Sequence, residues 1–223
     1  MSDPYYQDDL VTLYHGDCLT ETAWLAADVL VTDPPYGMSF DSGWVKGRTR
    51  AIANDGDTEA RDKALRLWAD RGPWLMFGTW RVQRPAEVSQ VLIWDKTDGV
   101  GPGMGDLSAA FGSSHEEIYL GGKWKKAGPR RGSVIRTSTA MGNPYGLVAT
   151  SGHPTPKPIG LMEVLIAQSA AGVIADPFAG SGATLLAARN LGRQAIGVEL
   201  EERYCELIAK RLSQQVFDFG DVA

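Results

Sequence analysis

The stretch Val173–Glu199 constrains the fold more than any other part of the chain. It reads as a short apolar run, a turn with two glycines, a helical run and a second apolar run that ends on an acid. Val173-Ile174-Ala175 has the character of a short buried strand, and it runs directly into Asp176-Pro177-Phe178-Ala179-Gly180-Ser181-Gly182. Ala183–Leu191 then reads as a helix with Gly192 in the position that ends one, and Gln194–Val198 as the next strand, delivering Glu199 to its end. Such a unit belongs to a sheet with helices on its faces. The expected class is therefore α/β, and 223 residues suit one domain of that kind with a small insertion.

Read in order, the rest of the chain supplies further strands. Val11–Tyr14 alternates and leaves Asp17 at a strand's carboxyl end. A short helix is expected over Thr20–Ala27, a strand over Asp28–Thr32, and a polar active-site loop over Ser39–Gly56 carrying Lys46, Arg48 and Arg50. Apolar residues on one face predict a helix over Asp57–Arg71, stopped by Gly72-Pro73. Strands are expected at Trp74–Phe77 and Val91–Trp94 with a short helix near Val82–Glu87 between them, and an edge strand at Glu116–Leu120. From Gly121 to Thr155 no periodicity is visible, which marks an inserted recognition segment. Pro158 opens a helix with its apolar stripe on Leu161, Met162, Leu165 and Ile166, and Glu202–Ser213 reads as the last helix.

The chemical centre is expected at Asp33-Pro34-Pro35-Tyr36-Gly37, where the apolar run Val29-Leu30-Val31 emerges from the sheet. A carboxylate, two prolines whose carbonyls escape a regular ladder and an aromatic ring make a rigid cup for a flat, amine-bearing ring. An ordinary surface turn is the plain alternative.

Charge has to be read locally. The net charge is −5, yet Lys123, Lys125, Lys126, Arg130, Arg131 and Arg136 fall within 14 residues that hold no acid, leaving 16 bases against 27 acids elsewhere. A polyanion near that segment feels the cluster more than the distant excess, because exposed charges are screened beyond roughly 8 Å at physiological salt. A solvated loop without a partner is the alternative. Cys18 and Cys205 lack zinc-ligand spacing, as do the three histidines, so no metal is expected and free thiols are preferred to a bridge. With no apolar run of membrane-spanning length and no secretory signal at Met1-Ser2-Asp3-Pro4, the expected location is the cytoplasm.

The turn at Asp176–Gly182 with Glu199 beyond it suits an adenosine-type cofactor, whose ribose hydroxyls an acid at that position can hold. Dinucleotide binding fits poorly, because only Gly180 and Gly182 form the pair, Ala183 follows, and no third glycine stands at the usual offset. S-adenosylmethionine has no pyrophosphate to cradle, and Asp176 can meet its ammonium group.

Three blocks together resemble one family. Asp176–Gly182 is similar to the cofactor motif of the DNA amino-methyltransferases, Asp33–Tyr36 to their catalytic motif, and His153-Pro154-Thr155-Pro156-Lys157-Pro158 to a third block. The catalytic motif comes first, an order that resembles the circularly permuted β-group, and the likeness covers roughly residues 11–120 and 153–212. Pro156 and Ala183 depart from the usual residues, and the segment from Leu120 to His153 is short for a recognition domain. The resemblance implies a Rossmann-like class I methyltransferase sheet, permuted so that Val11–Tyr14 lies beside Gln194–Val198. It implies a catalytic half over 1–120, a DNA-recognition segment over 121–152 and a cofactor half over 153–223.

It also implies roles. S-adenosylmethionine would be held by Asp17, Asp176, Pro177, Phe178, Gly180, Ser181, Gly182 and Glu199, with Thr155 and Lys157 reaching its carboxylate. Asp33 and the Pro34 carbonyl would take the protons of an exocyclic amine on a flipped base, Pro35 would hold the turn and Tyr36 would stack. Lys46, Arg48, Arg50 and the 123–136 cluster would contact double-stranded DNA. Adenine N6 is preferred over cytosine N4 because Asp leads the catalytic motif. An RNA or protein amine methyltransferase and a degenerate binding module stay as rivals. The absence of a nuclease-like segment favours a solitary enzyme over one paired in restriction-modification, and a homodimer stays open.

Overall fold

The computed structural model describes residues 2–38, 55–97, 99, 101, 108–125, 127–137 and 156–214. Among these, nine strands form one sheet: β1 (Tyr6–Gln7), β2 (Val11–His15), β3 (Val29–Thr32), β4 (Trp74–Gly78), β5 (Val88–Asp95), β6 (His115–Gly121), β7 (Val134–Arg136), β8 (Ile174–Asp176) and β9 (Ala195–Glu199). The helices are α1 (Glu59–Trp68), α2 (Ile159–Ile166), α3 (Ala183–Asn190) and α4 (Glu202–Ser213). The strand order is β1-β2-β9-β8-β3-β4-β6-β5-β7. β2 pairs with β9 in parallel, Val11 opposite Ala195 and His15 opposite Glu199, as the sequence order implied. Every strand except β1 and β6 points the same way, so the loops after β2, β3, β4, β5, β8 and β9 open at one edge.

Apolar residues alternate between two buried layers, as strands covered on both faces require. Val29, Val31, Leu75, Phe77, Ile118 and Ile174 face one layer with α2, α3 and α4, which contribute Leu161, Met162, Leu185, Ala188, Ile208 and Leu212. Leu30, Trp74, Met76, Tyr119 and Ala175 face the other, where Trp24 and Trp68 stack at 5.9 Å between ring centroids. Both of these indoles are fully buried, and Trp68 Nε1 donates to the Gly72 carbonyl at 3.0 Å. Trp68→Ala is expected to lower stability by about 3–5 kcal/mol, read as a fall in the urea midpoint.

Four expectations are corrected. Thr20–Ala27 holds only one 3₁₀ turn, Ala23–Ala26, because Trp24 is drawn inward and its Nε1 donates to the Cys18 carbonyl at 2.9 Å. No helix forms at Val82–Glu87: Pro85 lacks an N–H, Arg84 before it is disfavoured in helical conformation, and Glu87 has φ of 61°. Glu116–Leu120 is interior rather than an edge, since β6 is inserted antiparallel between β4 and β5. Within the segment expected to be irregular, Val134–Arg136 pairs with Ile93–Asp95 and becomes the edge strand itself. Cys18 and Cys205 are both buried free thiols. Among the described residues no group of His, Cys, Asp and Glu could hold a metal, and no helix is long and apolar enough to cross a membrane.

Candidate active site

The site gathers where β3, β5, β8 and β9 end and where β6, running the other way, begins. After β8 the chain turns through Pro177–Gly182 into α3. Gly182 has φ of +81°, and a Cβ there would stand 2.8 Å from Ile208 Cγ1, so the position takes glycine for both conformation and space. Glu199 anchors the turn: its Oε2 accepts the Gly180 N–H at 2.7 Å and its Oε1 the Glu201 N–H at 2.8 Å. Each oxygen keeps a lone pair for a further donor. Asp176 lies at the floor, its Oδ1 taking the Thr32 hydroxyl at 2.6 Å and the Phe178 N–H at 3.2 Å. Burial pushes the Asp176 carboxyl up to about 6 and the Glu199 carboxyl up to about 7, against hydrogen bonds that pull each down. Two buried acids so placed favour a cation and a pair of hydroxyls.

Asp17 lies two residues past β2, at the same edge as Glu199, and its Oδ1 accepts the Leu19 N–H at 2.9 Å. A cleft runs from this turn to the Asp33 cup, lined by Asp176, Phe178, Gly180, Ser181 and Thr184 on one side and by Asp33 and Lys157 on the other. The two motifs read separately from the sequence therefore share one cleft.

The cup holds a compact charge cluster. Lys157 Nζ lies 2.6 Å from Asp33 Oδ2 and 3.3 Å from Glu116 Oε2, and its side chain is only 7% exposed. The Tyr36 hydroxyl is 2.8 Å from Asp33 Oδ1 and 3.3 Å from Glu116 Oε2, while Lys96 Nζ meets Glu116 Oε1 at 3.3 Å. Burial lifts the Asp33 carboxyl above its ordinary value, with Lys157 opposing and Glu116 adding to the rise. Against the rise that burial alone would give, Lys157 and then Lys96 hold the Glu116 carboxyl below its usual range. For Lys157, burial is outweighed by Asp33 and Glu116, so the ammonium is retained. The turn itself is tied by Asp55, a buried acid that accepts the Gly37 N–H at 2.7 Å and the Met38 N–H at 3.3 Å.

Several sequence expectations move. Lys157 sits against Asp33, because an ammonium this buried needs countercharge close by. The Tyr36 ring is partly buried and its hydroxyl is engaged by two carboxylates. Lys123 and Lys125 follow Gly121, which pairs with Trp74 at the start of β4, so they leave from the edge opposite the cup. The chain passes Gln168 near Gly128, beyond the end of α2, so Arg130 and Arg131 lie on the return path to β7. Of this cluster's described members Arg136 ends β7, the outermost strand, on the side of the sheet where the cup lies, and it pairs with Asp95 at 3.4 Å. Lys46, Arg48, Arg50, Lys126 and Thr155, with the rest of His153–Thr155, lie outside the described residues.

Sequence reasoning missed Glu116, Lys96, Asp55 and Trp80. Glu116 lies in β6 and Lys96 directly follows β5, and only the antiparallel pairing of β5 with β6 brings them together. Trp80, two residues past β4, is 64% exposed with the Arg81 guanidinium 5.4 Å from its ring centroid.

Comparison with known proteins gives a consistent picture. Residues 27–211 match a family model described as DNA methylase. The type II methyltransferase M2.DpnII of Streptococcus pneumoniae is 43% identical, covering 96% of this chain and 94% of its own length. M2.MboI of Moraxella bovis, also a type II methyltransferase, is 26% identical over 93% of this chain and 90% of its own. Among solved structures, a complex of M1.HpyAVI with SAM aligns with a TM-score of 0.64 at 23% identity, covering 92% of this chain and all of that one. The cytosine-N4-specific PvuII DNA methyltransferase aligns at 0.62 and 15% identity, over 96% of this chain and 90% of that one. At these identities the structural likeness shows a shared fold.

Proposed function

The chain belongs to the family of N6/N4 DNA methylases, and from that premise we propose that it transfers a methyl group from S-adenosylmethionine to an exocyclic amine of double-stranded DNA, adenine N6 by preference. The observation that carries this reading is the single cleft joining Asp33 to the Asp176–Gly182 turn. When bound, the cofactor supplies a methyl group on a positively charged sulfur. Asp176 fits its ammonium, Glu199 its ribose hydroxyls and Asp17 the neighbourhood of the adenine.

An exocyclic amine is a weak nucleophile because its lone pair is delocalised into the ring. Asp33 and the Pro34 carbonyl accept its protons, which favours a pyramidal nitrogen with its lone pair aimed along the cleft. Pro35 stiffens the turn. The base must leave the helix to reach the cup, at a cost of a few kcal/mol. Exposed Trp80 and Arg81 offer a stacking surface beside the cup, while Lys46, Arg48, Arg50 and Arg136 are the assigned phosphate contacts. Lys123, Lys125, Arg130 and Arg131 remain in the DNA-recognition segment 121–152 as contacts away from the cup, and Lys126 stays assigned to the same segment. The preference for adenine rests on Asp33 as the leading residue of the motif. The reading places the protein in the cytoplasm with its DNA.

Labelled S-adenosylmethionine incubated with unmethylated DNA, RNA or protein tests substrate class and base together. Label in DNA, recovered as N6-methyladenine after digestion to nucleosides, is the expected result. N4-methylcytosine would overturn the choice of base, and label confined to RNA or protein would overturn the DNA assignment.

The raised carboxyl values of Asp176 and Glu199 also set a pH dependence. A cation and hydroxyl donors favour the ionised acids, so bound cofactor requires protons to leave. Each such proton weakens binding about tenfold for every pH unit below the group's own value. Calorimetric affinity for S-adenosylmethionine is therefore expected to fall as pH drops from 8 to 5, beginning near 7 for Glu199 and steepening below about 6 for Asp176. A flat profile would contradict the assignment of these two acids.

A further inference from the structure

Methylating an amine leaves one proton to be removed. As the N–C bond forms, the nitrogen gains positive charge and one N–H bond must break, and Asp33 is the acceptor in reach. Asp33 lines the cleft, so a base and cofactor seated there would cover it from water. Its Oδ2 is already held by Lys157, a fully charged ammonium that cannot take another proton. Its Oδ1 faces the Tyr36 hydroxyl at 2.8 Å, and that hydroxyl lies 3.3 Å from Glu116 Oε2. Asp33 and Glu116 keep the same side-chain exposure, 21%, but only Asp33 lines the cleft, so a base and cofactor seated there would cover Asp33 and leave Glu116 outside them.

We propose that Asp33, the Tyr36 hydroxyl and Glu116 form a proton exit, in which the proton taken from the target amine leaves the covered cleft for water at Glu116. The proposal rests on the methyltransferase reading given above. In this path the amine N–H bond breaks and an Asp33 O–H bond forms. Tyr36 then accepts that proton as it passes its own to Glu116, and Glu116 releases one proton to water. No phenolate forms and no co-reactant other than water is needed. Burial and the two carboxylates hold the Tyr36 hydroxyl well above its ordinary value, which suits a concerted exchange.

The charged groups facing the path come from every neighbouring element. Lys157 precedes α2, Lys96 follows β5, and Asp176 ends β8 with Thr32 between it and the cup. The two ammoniums balance the two carboxylates, so the resting cluster of Asp33, Glu116, Lys96 and Lys157 is neutral and the incoming proton is its only excess charge. Loss of the proton from Glu116 to solvent draws the transfer forward.

Rapid-quench single-turnover measurements on DNA test the path with Glu116→Gln, Tyr36→Phe and the double variant. Each single change is expected to slow transfer by about 10²-fold, the scale of general base catalysis. The double variant is expected to be no slower than either single one, because both interrupt one route. Glu116→Ala should be rescued by added formate, a small carboxylate that replaces the missing acceptor. In the cofactor-free protein, infrared titration of the carboxyl bands should show Tyr36→Phe moving Asp33 and Glu116 together, since both lose one shared donor. Wild-type rates in both single variants, multiplied losses in the double variant, or carboxyl bands unmoved by Tyr36→Phe would each overturn the path. Failure of the methyltransferase reading looks different: the unaltered chain itself would transfer no methyl group to DNA.

Discussion

Asp33→Asn is expected to slow single-turnover methyl transfer by about 10²-fold to 10⁴-fold, the range for loss of a positioned proton acceptor, with cofactor affinity close to that of the unaltered chain. The substitution keeps the shape of the side chain but replaces one oxygen with a donor. That donor would face either Lys157 or the target amine, both of which need an acceptor there. Glu116 continues to neutralise Lys157, so the fold should survive the change. Rapid quench gives the rate and calorimetry the cofactor affinity. An unchanged rate would remove Asp33 from the chemistry, and a lost affinity would mean that its role is structural.

Lys157→Met is expected to lower stability by about 3–5 kcal/mol, because removing one member of a buried charge cluster leaves the others uncompensated. Here two carboxylates, Asp33 and Glu116, would lose their shared ammonium, and only Lys96 would remain beside Glu116. Adding Asp33→Asn to Lys157→Met should recover part of the loss by removing one of the stranded charges. Urea unfolding of the two variants measures this. A double variant less stable than Lys157→Met alone would show that charge balance is not what holds the cluster.

The parts of the site that could be read from sequence are those in which one short stretch carries both the strand and the functional residue. Val29–Gly37 and Val173–Gly182 are of this kind: each is a buried strand whose last residue hands the chain to a polar turn. The neighbourhood of β2 and β9 was also legible, because motif order implied which strands meet. Glu116 was hidden for the opposite reason. It stands at the start of β6, and only the insertion of β6 antiparallel between β4 and β5 carries it to the cleft edge. Strand direction likewise separates Lys123 and Lys125 from the cup, although their charge density pointed to DNA from sequence alone. Lys157 was noticed in its motif, but its partner lies 124 positions away, and burial against Asp33 is a property of the folded chain. The helix expected at Val82–Glu87 failed on local chemistry that was legible, since Pro85 breaks it from within.

The central claim is that the Asp33 cup and the Asp176–Gly182 turn are one amine-methylating site on DNA. Sequencing of base modification in DNA from a host expressing the unaltered chain, beside a host expressing Asp33→Asn, tests it most directly. The account predicts methylated adenine within one sequence context in the first host and none in the second. DNA without a modified base in the first host, or the same methylation in both, would contradict it.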